Sequence, residues 1–291
     1  MRVLVFGETG QVAQALAEAG AARDDIEIAT LSRAEADLTE PDSLRDAVYG
    51  SSADLIVNAA AYTAVDAAET DRETAFAVNA HAPGVIAAAA ASRGLPFIHL
   101  STDFVFDGAA ERAYLETDPT NPLGVYGATK LAGETAVLDA GGATVVLRTA
   151  WVFSATGKNF VKTMLRLAGE RDAVRVVDDQ TGAPTPAAAI AEVILAIAPK
   201  LTAEGEAVRG VYHFCGDEPV SWAGFARAVF ETGELSTHVE PITTAEYPTP
   251  ARRPAFSVLD CAKIGSVFSV GAADWRAGLK QDVARLQAMK E

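Results

Sequence analysis

The residues best suited to chemistry are Tyr126 and Lys130, in the run Tyr126-Gly127-Ala128-Thr129-Lys130, together with Thr102 in Ser101-Thr102-Asp103. A free phenol has a pKa of about 10 and transfers protons poorly near neutrality. A neighbouring ammonium favours the phenolate, which lowers that value and fits the tyrosine to exchange a proton with a carbonyl oxygen while hydride arrives at the carbon. A threonine hydroxyl can hydrogen-bond the same oxygen. The tyrosine–lysine spacing is common on helices, so spacing alone equally describes a solvated helix face. The elements around it must decide.

Those elements follow from pattern. Val125 to about Leu138 reads as a helix of good formers without internal proline, and residues four apart share a helix face, so Tyr126 and Lys130 point the same way. Pro96 to Leu100 is an apolar run that reads as a buried strand, which puts Ser101 and Thr102 at its end. Ligands of open parallel sheets sit at that end of the strands.

The N-terminus supplies a second signal. Arg2 to Phe6 reads as a strand, Gly7-Glu8-Thr9-Gly10-Gln11-Val12-Ala13 as a glycine turn, and the stretch to about Ala21 as a helix. This order suits a dinucleotide: glycines let the backbone approach a pyrophosphate, and the helix N-terminus offers free N–H groups. The spacing is GxxGxxA rather than GxGxxG, so a tight turn without a ligand also fits it. A second strand, Glu27 to Leu31, ends on Ser32-Arg33, where NAD-specific folds often place an acid. Arg33 suits a ribose 2′-phosphate, favouring NADPH, and equally suits a solvated position.

Further strands are expected at Asp54 to Asn58 and Val145 to Arg148, and helices near Asp42 to Tyr49, Thr70 to Asn79 and Pro83 to Ser92. Alternation of strands and helices argues an α/β fold with a doubly wound, Rossmann-type parallel sheet. After Arg148 the pattern becomes irregular. Helices fit near 159–168, 186–198, 221–232 (with Ser221 as N-cap) and 272–290, and strands near 174–177 and 212–215. Glu240 to Ala255 is rich in proline and threonine and reads as a long functional loop. The organisation expected is a dinucleotide-binding domain over 1–150 and a smaller, interwoven substrate region over 151–291.

Composition narrows the class. The chain has 291 residues, 49% hydrophobic and 22% charged, with a formal net charge of -15. That is ample material for a core, and without a basic block neither nucleic acid nor anionic membrane is an expected partner. Cys215 and Cys261 lie far apart, and with four histidines the chain shows no metal-ligand spacing. No apolar run reaches the length of a membrane span, and the opening strand is too short for a signal peptide. A cytoplasmic protein is expected.

Read together, these motifs resemble the dTDP-4-dehydrorhamnose reductases of the extended short-chain dehydrogenase/reductase superfamily over nearly the whole length. The resemblance is carried by Phe6-Gly7-x-Thr9-Gly10-Gln11-Val12, Val57-Asn58-Ala59-Ala60-Ala61-Tyr62-Thr63-Ala64-Val65-Asp66-x-Ala68-Glu69, Ser101-Thr102-Asp103-x-Val105-Phe106-Asp107-Gly108 and Tyr126-Gly127-x-x-Lys130. It continues through Leu147-Arg148-Thr149-x-Trp151-Val152, Asp179-Gln180-x-Gly182-Ala183-Pro184-Thr185 and Tyr247-Pro248-Thr249-Pro250-Ala251-x-Arg253-Pro254.

The resemblance implies reduction of the C4 ketone of dTDP-4-dehydro-L-rhamnose to dTDP-L-rhamnose, with NADPH or NADH as cofactor. It implies Tyr126 as proton donor, Lys130 lowering its pKa and holding the nicotinamide ribose, and Thr102 orienting the keto oxygen. Asp103 and Trp151 match positions that contact the nucleotide sugar. Gly10, Gln11, Val12, Asp37, Leu38, Ala61, Tyr62 and Thr63 match dinucleotide contacts, alongside Gly7 and Arg33 from the pattern itself. Arg252-Arg253 could neutralise a diphosphate or be an exposed basic pair.

Departures from the family are Ala13 for the third glycine of the turn and Phe104 for a common tyrosine. Some members are magnesium-bridged dimers; Ala15 stands where those carry a glutamate, so magnesium is not carried over, and monomer and homodimer both remain open. The competing readings are a non-catalytic subunit of the methionine adenosyltransferase type and a related epimerase or dehydratase.

Overall fold

The computed structural model describes residues 1–289. Six strands, β1 (Arg2–Phe6), β2 (Glu27–Leu31), β3 (Leu55–Asn58), β4 (Phe97–Thr102), β5 (Thr144–Thr149) and β6 (Gly210–His213), form one sheet in the order β6-β5-β4-β3-β1-β2. Every pairing in it is parallel. The strands read as continuous apolar runs because both faces are covered. Val3, Val5, Leu55, Val57, Ile98, Val145 and Leu147 face a core shared with helix α1 (Gln11–Ala21) and helix Ala187–Glu204. Leu4, Phe6, Ile56, Phe97 and Val146 alternate to the opposite face, against α2 (Pro41–Gly50), α3 (Arg72–Ser92) and α4 (Val125–Asp139). β6 and helix Ala187–Glu204 come from beyond residue 150, so the chain returns to the sheet late.

A separate core holds much of the second half. Phe153, Phe225, Val229 and Trp275 are buried among helices Phe160–Ala168, Trp222–Thr232 and Trp275–Ala288 and the parallel strands Ala173–Val177 and His238–Ile242.

Several elements differ from the sequence reading. The two helices expected on either side of Ala80 are one run, α3, with a π-helical turn at Ala77–His81. Pro83 has no N–H to give the Asn79 carbonyl, yet the helix does not break. That carbonyl faces α4, where a Cβ on Gly133 would lie 2.1 Å from it. The Asn79 side chain accepts from the Tyr62 N–H at 2.8 Å and donates to the Tyr62 carbonyl at 3.0 Å and to Thr129 Oγ1 at 3.1 Å. Among the described residues α3 is the helix long and apolar enough to cross a membrane by length and composition alone, and half of its apolar window is buried in the fold.

Helix Ala187–Glu204 passes its expected end because Pro199 lies on the exposed side while Leu201 stays buried on the sheet. Within the expected Glu240–Ala255 loop, residues up to Ile242 belong to the strand His238–Ile242 and Thr244–Glu246 forms a capped turn. Pro241 is tolerated because a two-stranded sheet has only edge strands. Helix Ala262–Phe268 was not expected. The expected end of the last helix at Lys290 lies outside the described residues.

Candidate active site

The sheet order reverses between β1 and β3, and a cleft of about 1030 Å³ opens there. Such a switch point is where open α/β sheets bind ligands. Gly7 follows β1 with φ +111°, a conformation strained for any side chain, and a Cβ there would lie 3.3 Å from that of Ala60 beyond β3. Gly10 begins α1 with no side-chain cap, so the helix presents unsatisfied N–H groups to the cleft. Gln11 and Val12 line it beside them, and Ala13 is fully buried against the sheet, where its methyl adds to packing.

The other dinucleotide residues expected from sequence are on the same cleft: Arg33, Asp37 and Leu38 beyond β2, Ala61, Tyr62 and Thr63 beyond β3, and Tyr126 and Lys130 from α4. Arg33 is mostly exposed and donates to Asp37 Oδ2 at 3.1 Å. Hydrogen bonds from the backbone and hydroxyl of Thr39, ahead of Arg33, hold the Asp37 carboxyl below its usual range. The Gln11 side chain is committed elsewhere. Its Oε1 accepts from Ser154 Oγ and Asn159 Nδ2, each at 2.9 Å, which ties the glycine turn to the loop after β5 and leaves the Gln11 backbone for a ligand.

α4 is placed by contacts that the sequence does not display. Glu69 Oε1 accepts the Val125 N–H at 2.8 Å, capping the helix from a distant segment. Gly127 follows Tyr126 because the Phe104 carbonyl crosses the helix there, 2.2 Å from where a Cβ would stand. Tyr126 packs edge-on against Phe104, ring centroids 5.6 Å apart. At the end of β4, Thr102 Oγ1 donates to Asp103 Oδ1 at 3.0 Å and accepts the Phe104 N–H at 3.2 Å. Asp103 is buried, and desolvation pushes its carboxyl up to about 6 against the opposing pull of the Ser257 and Thr102 hydroxyls.

The expected tuning of Tyr126 by Lys130 is not what the structure shows. Burial dominates and pushes the phenol up to about 12; the Thr102 hydroxyl pulls it down and the Asp103 charge pushes it up. Lys130 is directed instead to the Leu100 carbonyl, at 2.7 Å, and desolvation lowers it to about 8. Four residues further along α4, Glu134 forms a buried ion pair with Arg148 of β5 at 2.6 Å and accepts from Ser101. Sequence reasoning missed this pair, which carries no local spacing signal.

A second cavity of about 700 Å³ lies on the far side of the Phe104–Tyr126 contact: Phe104 lines it and Tyr126 lines the first. Trp151, at φ +46°, stacks on Trp222 with centroids 3.5 Å apart and planes 7° from parallel. Gly182 leaves room, since a Cβ there would stand 2.4 Å from the Trp151 ring. Arg253 lines this cavity and donates to Asp66 Oδ2 at 2.8 Å, whereas Arg252 is exposed and does not line it, so the two arginines do not act as a pair. Trp222, Phe160 and Arg171, which also line it, were missed; the Trp222 signal, an aromatic just after the Ser221 cap, is indistinguishable from a core residue. Among the described residues no group of three or more His, Cys, Asp or Glu side chains is placed to hold a metal ion.

An all-parallel sheet with a glycine turn at its switch point, and a strand-end threonine facing a tyrosine–lysine helix, define a Rossmann-type short-chain dehydrogenase/reductase. The family described as RmlD substrate binding domain matches residues 1–288. The dTDP-4-dehydrorhamnose reductase of Burkholderia thailandensis is 47% identical over 95% of this chain and 96% of its own length, and that of Escherichia coli K12 is 39% identical over 97% and 96%. A crystal structure of a dTDP-4-dehydrorhamnose reductase from Clostridium acetobutylicum superposes with a TM-score of 0.92 at 32% identity, covering 99% of this chain and 100% of that one. The Bacillus anthracis reductase, solved in complex with NADP, gives 0.92 at 30% identity over 98% and 99%. The chain belongs to the dTDP-4-dehydrorhamnose reductase family.

Proposed function

We propose that the protein reduces the C4 ketone of dTDP-4-dehydro-β-L-rhamnose to dTDP-L-rhamnose with NADPH. The observation that carries this is that the contacting rings of Tyr126 and Phe104 line two different cavities, one with a dinucleotide turn and one lined by stacked tryptophans. The first cavity fits the cofactor: the Gly7 backbone approaches Ala60 with no side chain between, and the first N–H groups of α1 are open to a pyrophosphate. When bound, the nicotinamide supplies hydride to the carbonyl carbon.

The protein's own groups handle the oxygen. Tyr126 carries its proton in the folded protein and passes it to the keto oxygen as negative charge develops there, which requires the positive charge of Lys130 to offset the burial that disfavours the phenolate. Thr102 swings its hydroxyl from Asp103 to the same oxygen. Lys130 holds the nicotinamide ribose and stabilises the phenolate that Tyr126 leaves behind. Arg33 pairs with the ribose 2′-phosphate, which is why NADPH is favoured over NADH. Asp103, Trp151 and Arg253 contact the nucleotide sugar, and residues 151–291 form the region that binds it, apart from the segments returned to the sheet.

The test is a coupled assay. With dTDP-4-dehydrorhamnose supplied, loss of reduced-nicotinamide absorbance is expected with NADPH and more weakly with NADH. Binding of both ligands without turnover would instead support a non-catalytic role.

A further inference from the structure

Behind the catalytic lysine lies a buried chain of polar groups that no step above uses. Asn58, His99 and Lys130 are 0%, 0% and 2% exposed. The Ala60 N–H donates to Asn58 Oδ1 at 3.2 Å, Asn58 Nδ2 lies 3.2 Å from His99 Nδ1, and His99 Nε2 lies 3.4 Å from Lys130 Nζ. The chain thus runs from the Ala59–Ala61 wall of the dinucleotide cleft to the lysine of the active site.

Its direction follows from what each group can donate. A backbone N–H has only a proton to give, so the oxygen of Asn58 faces Ala60 and its NH₂ faces His99. An amide NH₂ also only donates, so His99 Nδ1 is the acceptor, and a neutral imidazole then carries its proton on Nε2. That N–H points at Lys130 Nζ. An ammonium has three donors and no acceptor, so it would set donor against donor; an amine offers a lone pair and still donates to the Leu100 carbonyl at 2.7 Å.

We propose that in mildly alkaline solution His99 is a positioning residue that holds Lys130 as the uncharged amine in the cofactor-free enzyme, so that loading the cofactor draws Lys130 off His99 and takes up a proton from solvent. In that step the amine gains one proton and becomes the ammonium, and no other bond is made or broken.

The groups facing Lys130 agree. On α4 they are Tyr126 and Glu134; on β4, His99 and the Leu100 carbonyl. Glu134 is the one anion, and it is neutralised by Arg148 of β5 and bonded by Ser101. Asp103 acts on Tyr126. Burial, and the charge of Lys130 while it is protonated, keep His99 neutral, well below its ordinary value; burial also depresses Lys130 to about 8, with Glu134 opposing, so the amine prevails in mildly alkaline solution.

The inference rests on the cofactor reading and is separable from it. Titration calorimetry of NADPH into the holo-competent, full-length protein at about pH 8.5, in two buffers of different ionisation enthalpy, should show roughly half a proton or more taken up per cofactor bound. His99→Leu, which keeps the volume and removes the donor, should cut that uptake at least about fivefold while NADPH still binds, and should move the basic limb of the kcat/KM profile upward. Asn58→Asp, whose carboxylate accepts from Nδ1 and reverses the tautomer, should do the same. Should either variant not fold, ¹⁵N spectra of the histidine rings in the unaltered protein decide: an Nε2–H tautomer for His99 is required. Buffer-independent heats in the unaltered protein, uptake unchanged in the variants, or an Nδ1–H tautomer would each overturn the proposal. Binding with uptake but no sugar reduction would break the functional reading and leave this one standing.

Discussion

The two cavities on either side of the Phe104–Tyr126 contact are built on opposite plans. The dinucleotide cleft is made from backbone: a positive-φ glycine, an uncapped helix start and small residues at the ends of β1 and β3. The second cavity is made from large side chains brought together over long sequence distances: Trp151 on Trp222, Phe160 against Trp222, and Arg253 pinned by Asp66. The first plan suits a ligand common to many enzymes, since peptide N–H groups read a pyrophosphate whatever is attached to it. The second suits a ligand particular to this one, since a stacked wall fixes shape and orientation.

The sharpest way to break this division is at the seam. Tyr126→Phe should lower NADPH-dependent reduction by about a thousandfold or more, with cofactor affinity nearly unchanged, as stopped-flow and fluorescence titration would show. Turnover like that of the unaltered protein would remove Tyr126 as donor. Next comes the aromatic wall. Trp222→Ala should raise KM for the nucleotide sugar about tenfold to a hundredfold, the range expected from losing one stacked ring, while the Kd for NADPH stays put. A matching loss of NADPH affinity would show that the two cavities are not independent.

Asp103, on the seam itself, should show a trade of stability for function. Its carboxyl is raised from 3.8 to about 6, chiefly by desolvation. The folded protein therefore holds that proton more tightly than the unfolded chain. The stability it contributes is fully present below the unfolded value and is lost as pH rises through the folded one. Asp103→Asn cannot ionise, so it should stabilise the protein at pH 7.5 by up to about 3 kcal/mol, narrowing towards pH 4, while reducing activity. Thermal melts across that range check it; equal effects at both ends would mean that Asp103 does not titrate as a buried acid. Smallest is Arg33→Ala. Arg33 is mostly exposed and already paired with Asp37, so a loss of a few fold for NADPH and less for NADH is expected in equilibrium binding. Equal losses would show that Arg33 does not read the 2′-phosphate.

The same contrast explains what could be read from the chain. Gly7, Gly10 and the strand–turn–helix order are local, and every residue expected to touch the dinucleotide lies on one cleft. The placement of Thr102 at a strand end and of Tyr126 and Lys130 on one helix face was legible for the same reason: a strand end and a four-residue helical spacing need no knowledge of the fold. The supports were not. Glu69 caps α4 from 56 residues away, and Arg148 meets Glu134 only because β5 lies beneath that helix. The π-turn at Asn79 was hidden because Pro83 reads as a helix start. The strand His238–Ile242 was read in part as loop because Pro241 and the threonines after it outweigh its apolar alternation, and its partner strand begins 65 residues earlier. Spacing places Lys130 on the same face as Tyr126 but shows neither the burial that dominates the phenol nor the Leu100 carbonyl that its Nζ finds.

The most direct test of the account is a crystal structure of the full chain with NADP and dTDP-L-rhamnose both bound. The dinucleotide should lie along the glycine turn, the thymidine end among Trp151, Trp222 and Arg253, and the sugar O4 within hydrogen-bond reach of the Tyr126 hydroxyl. A nucleotide sugar bound elsewhere, or an O4 turned away from Tyr126 while both ligands are in place, would contradict it.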